Sequence, residues 1–142
     1  MGQKGRGGTL RPPKSFLLKN IPRKPPGFFY GKMKINILGT EYKLIYKRPD
    51  EDPRFCSGDG YTDASIKELV VDDMSAHKDE VDAQADLLAY RDQVVRHEII
   101  HAFLAESGLG VCSDWATNEE LVDWIAIQLP KITKACEKAN CL

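Results

Sequence analysis

The sequence predicts an α+β domain in which a small, twisted, mostly antiparallel sheet packs on two helices. Three observations predict it. Two short segments rich in β-formers flank Gly39-Thr40, the stretch from Leu87 to Glu106 holds no glycine or proline, and a second helical pattern follows Trp115. Length agrees with one domain, since 142 residues suffice for a single modest core but not for two.

Lys34-Ile35-Asn36-Ile37-Leu38 and Tyr42-Lys43-Leu44-Ile45-Tyr46 read as strands joined in a hairpin. Pro49 and Pro53 punctuate a loop, and Gly58-Asp59-Gly60 reads as a further turn. Ile66 to Val71 alternates weakly and reads as a third strand; three strands with a covering helix make a workable minimum sheet. Between Leu87 and Glu106 apolar residues recur at helical spacing, as Leu88, Val95, Ile99, Ala102 and Phe103. Gly108 is placed to stop that helix in a left-handed cap. For the next helix, Thr117 with Glu120 three residues on matches a capping box. Pro130 is expected to kink or end it, leaving Lys131 to Ala139 as a short further helix.

Charge divides the chain. Residues 1–32 carry eight basic residues, no acidic one, five of the eight prolines and six of the eleven glycines. Ordering such a segment costs entropy that little apolar surface offsets, so 1–32 reads as a flexible basic arm and 33–142 as the folded domain. The arm is expected either to be solvated or to make weak contact with nucleic-acid phosphates. No apolar run reaches the ~20 residues of a membrane span, and the basic start lacks a signal-like apolar core, so a cytoplasmic protein without membrane contact is expected. Cys56, Cys112, Cys136 and Cys141 form no C-x-x-C pair and are expected to be free thiols.

The candidate chemistry lies in His97-Glu98-Ile99-Ile100-His101, which holds two of the three histidines. On a helix of 3.6 residues per turn, a spacing of four puts both imidazoles on one face, within reach of one ion. Neutral imidazole suits zinc, Zn2+, and such a metal lowers the pKa of a water it holds to ~7. Glu98, near the same face, is the candidate general base. The bland alternative is a pair of histidines on a polar helix face. A catalytic zinc needs a third protein ligand, and the second helix offers Glu119, with Glu120, Asp123 or His77 as alternatives. If Thr117 caps the helix, Glu120 turns back to the cap and Glu119 is left for the metal. Asp123, one turn beyond Glu119, could then accept a hydrogen bond from the non-ligating nitrogen of a ligand histidine.

H-E-x-x-H followed by Asn118-Glu119-x-x-x-Asp123 on a second helix resembles the gluzincin class of zinc metallopeptidases. Glu119-x-x-Val122-Asp123-x-Ile125-Ala126 also resembles the matching helix of ImmA/IrrE-type peptidases. More closely, Arg96 to Leu104 with Trp115 to Glu120 and Val122 to Ala126 is similar to small HExxH proteins of phages and prophages, and an arm that brought a peptidase to DNA would be SprT-like. The diagnostic motifs span 97–126. The resemblance implies a zincin-like fold, a peptide or protein substrate, a host-cell cytoplasmic setting, and an edge strand bordering the cleft, for which Ile66–Val71 is the candidate. It leaves open an oxyanion donor, Tyr61 or His77, and the alternative of a catalytically silent zinc-binding module.

Overall fold

The computed structural model describes residues 32–77, 79–80 and 84–142. The basic arm, apart from Lys32, lies outside the described residues. Strands β1 (Met33–Ile37) and β2 (Thr40–Lys47) form the expected hairpin, with Ile37 opposite Thr40 and left-handed φ values at Leu38 and Gly39. That pairing of positive φ values is the two-residue turn whose twist suits adjacent strands.

Two further strands follow, β3 (Gly60–Asp63) and β4 (Glu68–Asp72). The sheet order is β1-β2-β4-β3. Two pairings are antiparallel, while β2 and β4 run parallel, so the sheet is mixed and the chain is α+β. Two expectations are corrected here. Gly58-Asp59-Gly60 is not simply a turn, because Gly60 opens β3. The segment after Ile66 is not the edge, because β4 lies between β2 and β3; Leu69, Val70, Val71 and Asp72 are all buried. A strand covered on both faces reads as a continuous apolar run rather than an alternation, which is why its pattern looked weak.

Helix α1 (Leu87–Glu106) has the expected bounds. Asp86 caps it by accepting from the Ala89 N–H at 2.9 Å, and Gly108 follows its end with φ 78°. Val94, Val95, Ile99 and Ala102 pack on Ile37, Tyr42, Leu44, Leu69 and Val71, the residues that alternate inward along the strands. Phe103, assigned to the same stripe, is instead exposed. The end of α1 is tied to the sheet through Glu106, which accepts from Lys67, from the Tyr42 hydroxyl (2.7 Å) and from the Thr40 hydroxyl (2.9 Å). These donors, Lys67 foremost, then Tyr42 and Thr40, hold the Glu106 carboxyl down at about 2. A depressed acid contributes stability above its unfolded pKa, ~4.3, and loses it as pH falls through the folded value. In urea unfolding at pH 7, Glu106→Gln should therefore be less stable than the parent, and the gap should close between pH 4.3 and about 2. A gap unchanged across that window would show that the carboxylate is not the tie.

A short helix α2 (Leu109–Cys112) and a 3-10 turn (Asp114–Thr117) lead to α3 (Glu119–Lys138). The cap of α3 is Asn118, whose side chain accepts from the Leu121 N–H at 2.9 Å. Thr117 is not the cap: its hydroxyl donates to the Asp114 carbonyl inside the preceding turn. Pro130 neither ends the helix nor leaves a separate segment after it. Proline lacks the N–H that would bond the carbonyl four residues back, and that carbonyl, of Ala126, instead accepts from Arg96 Nε of α1 at 2.7 Å. All four cysteines are free. Among the described residues, no helix is long and apolar enough to cross a membrane.

Candidate metal centre

Helices α1 and α3 pack together so that the motif face of α1 meets the first turn of α3. His97 and His101, one turn apart, bring their Nε2 atoms to 2.9 Å, with ring centroids 4.6 Å apart. Glu119, the first residue of α3, sets Oε2 3.2 Å from His97 Nε2 and 3.3 Å from His101 Nε2. These three donor atoms form a near-equilateral triangle, and His97, His101 and Glu119 together could hold a metal ion. Of the four third-ligand candidates, Glu119 is the one at the triangle. Glu120 follows it on an exposed position. Asp123 lies behind His97 instead, its Oδ1 2.8 Å from Nδ1. A carboxylate at Nδ1 orients the ring with Nε2 towards the triangle.

Glu98 lies beside the triangle and is buried, 4% exposed. Its surroundings come from β3. Thr62 brings its hydroxyl to 2.8 Å from Glu98 Oε2 and 2.9 Å from the Glu98 carbonyl oxygen. Gly60, two residues earlier on the same strand face, lies under the other oxygen: a Cβ there would be 2.9 Å from Glu98 Oε1 and 2.9 Å from Val94 Cγ1. Burial pushes the Glu98 carboxyl above the ordinary range, against the opposing pull of the Thr62 hydrogen bond and of the two histidines.

The triangle and Glu98 open on a cleft of about 640 Å³, walled on one side by β3 and the Gly58-Asp59 segment before it and on the other by α1 and the first turn of α3. The edge strand bordering the cleft is thus β3. Neither residue weighed as an oxyanion donor is free for that role. The Tyr61 hydroxyl donates to the buried Asp52 at 2.6 Å. His77 lies in a separate cavity, its ring between Glu80 and Asp72, whose carboxylates raise it to about 9.

Sequence reading did not single out Thr62, Gly60 or Arg96. Thr62 and Gly60 occupy alternate positions of a four-residue strand, too short to show a pattern. For Arg96 a signal existed: a proline inside a helical pattern leaves a carbonyl seeking a donor.

No family model matches the chain. No curated protein matches it, and neither does any solved structure.

Proposed function

We propose that this chain is a zinc-dependent metallopeptidase of the gluzincin kind. The observation that carries the reading is the donor triangle of His97, His101 and Glu119 with the buried carboxylate of Glu98 beside it. The fit to zinc is geometric. Three atoms at tetrahedral angles, ~2.0–2.1 Å from one zinc, stand roughly 3.3–3.4 Å apart; the two separations to Glu119 are 3.2 and 3.3 Å, and the imidazole pair, at 2.9 Å, would open slightly around the ion. Two imidazoles and one carboxylate are also a donor set found in catalytic zinc sites, which keep a position open, whereas structural sites close with four protein ligands. Three donors facing an open cleft favour catalysis over a silent, structural role.

When bound, zinc supplies Lewis acidity towards a peptide carbonyl and lowers the pKa of water. The chain's own residues do the rest. His97 and His101 present neutral Nε2 atoms, Asp123 keeps His97 in the tautomer that allows it, and Glu119 closes the protein ligand set. Glu98 accepts the proton of the attacking water at its carboxylate and returns it to the leaving amine. An extended peptide can add along the free edge of β3, its backbone hydrogen-bonded to the strand. Phage or prophage origin, a host-cytoplasmic setting and nucleic-acid contact through the arm belong to the same reading and rest on the sequence alone.

The test uses full-length, zinc-loaded protein and an unbiased fluorogenic peptide library. Glu98→Gln should keep its zinc and lose ~10²–10⁴-fold in hydrolysis. Undiminished hydrolysis by that variant would remove Glu98 from the chemistry, and an inert zinc-loaded parent would return the chain to the silent-module reading.

A further inference from the structure

We infer that Asp59, Asp72 and His77 form a second divalent-metal site, of nitrogen-and-carboxylate type, apart from the His97–His101–Glu119 triangle. The sheet itself brings the two aspartates together. Asp59 immediately precedes β3, Asp72 ends β4, and the Asp72 N–H donates to the Asp59 carbonyl at 2.8 Å. The chain then turns, and His77 folds back with its Nε2 2.7 Å from Asp72 Oδ2. One donor atom from each of the three residues lies within 4.8 Å of the other two. Two ligands ~2.0–2.2 Å from one ion stand at most ~4.4 Å apart, so an ion would draw the three side chains slightly together.

What marks this as a built site, and not only a group of charges, is the support behind each donor. The Tyr90 hydroxyl of α1 donates to Asp59 Oδ2 at 2.6 Å. The Met74 N–H donates to Asp72 Oδ1 at 2.7 Å. Glu80 Oε2 lies 2.9 Å from His77 Nδ1. Asp72 and His77 thus each have one polar atom held by another partner and the other turned to its neighbour in the cluster. A carboxylate behind the far nitrogen of a ligand histidine is the arrangement that orients metal-bound imidazole, and Asp123 behind His97 repeats it at the first centre. Asp72 is fully buried, so its charge needs a cationic partner. A divalent ion held beside His77 is one such partner. A cavity of about 250 Å³ lined by Asp59, His77, Glu80 and Tyr90 gives access. One imidazole with two carboxylates suits zinc or manganese better than calcium, which takes six to eight oxygens.

The experiment counts metal and does not depend on hydrolysis, so it stands or falls separately from the peptidase reading. Full-length protein is equilibrated with buffered Zn2+, and bound zinc is measured by mass spectrometry of the metal. The parent should hold about two zinc ions per chain, and His97→Ala/His101→Ala about one. Adding Asp59→Asn or His77→Gln to that double variant should reduce the content to about zero. Asp59→Asn alone, which preserves volume and the Asp72–His77 pair, should lower the parent from about two to about one; this arm serves even if the double variant does not fold. A parent that holds no zinc, or a single zinc that is lost with His97→Ala/His101→Ala and unaffected by Asp59→Asn, overturns the inference. So does a second zinc that survives both Asp59→Asn and His77→Gln, which would place it elsewhere, at the cysteines for instance.

Discussion

Replacing His101 with alanine is expected to empty the first centre. The substitution removes one corner of a triangle whose sides are 2.9 to 3.3 Å, and the remaining imidazole and exposed carboxylate present two donors where a zinc site needs at least three from the protein. Loss of an outer partner that only orients a ligand costs ~10–100-fold in metal affinity. Asp123→Asn should fall in that range, because Asp123 touches His97 Nδ1 and not the triangle. His101→Ala should lose more than that, and Glu119→Ala should rank with it. Glu120→Gln should bind as the parent does. Competition with a zinc indicator, at one buffered pH, gives the four affinities directly. A ranking in which Glu120→Gln loses more than Glu119→Ala would overturn the placement of the third ligand.

Gly60→Ala is expected to impair turnover while leaving the metal in place. Its methyl carbon would meet Glu98 Oε1 and Val94 Cγ1 at 2.9 Å and Glu98 Cγ at 3.1 Å, distances at which something must move. Val94, on α1, is partly buried against the core, so the added methyl crowds it together with the Glu98 carboxylate. Displacing a reacting group by ~1 Å can cost ~10²-fold in rate, and the crowding should cost ~1–3 kcal/mol of stability. Gly58→Ala is the matched control, since its nearest contact, the Gly60 carbonyl oxygen, lies at an ordinary 3.8 Å. Zinc content, thermal midpoint and hydrolysis of the two variants separate the effects. A Gly60→Ala protein that turns over peptide at the parent's rate would show that Glu98 tolerates being moved.

Both expectations depend on features of different legibility. The helix that bears His97, Glu98 and His101 could be bounded from the sequence, because an uninterrupted run between a turn-rich segment and Gly108 leaves few other solutions. The nearness of Glu119 and Asp123 followed from helical spacing once a second helix was assumed. Thr117 carries the capping-box pattern, yet Asn118 one residue on is the cap, because the Thr117 hydroxyl donates to the Asp114 carbonyl in a turn that no pattern announces. Strand β3 escaped because glycine at its start signals a turn, whereas here glycine is required by a carboxylate from another element. Strand β4 reads as an edge in the sequence because burial on both faces erases the alternation that identifies a strand, although it lies between β2 and β3. The meeting of Asp59, Asp72 and His77 depends on a strand pairing and a returning loop, so it appears only in three dimensions.

The hydrogen bond from Arg96 to the carbonyl of Ala126 has a consequence beyond tolerance of Pro130. Arg96 immediately precedes His97, and Ala126 lies three residues past Asp123. A helix turns about 100° per residue, so small rotations of either cylinder would swing Glu119 and Asp123 off the imidazoles. A single-donor bond to a carbonyl that its own helix cannot satisfy acts as a key in a keyway. It sets the azimuth of α3 on α1 and with it the phase of the first centre. The proline therefore serves as an indexing mark, because it leaves one carbonyl of α3 open to a donor from α1.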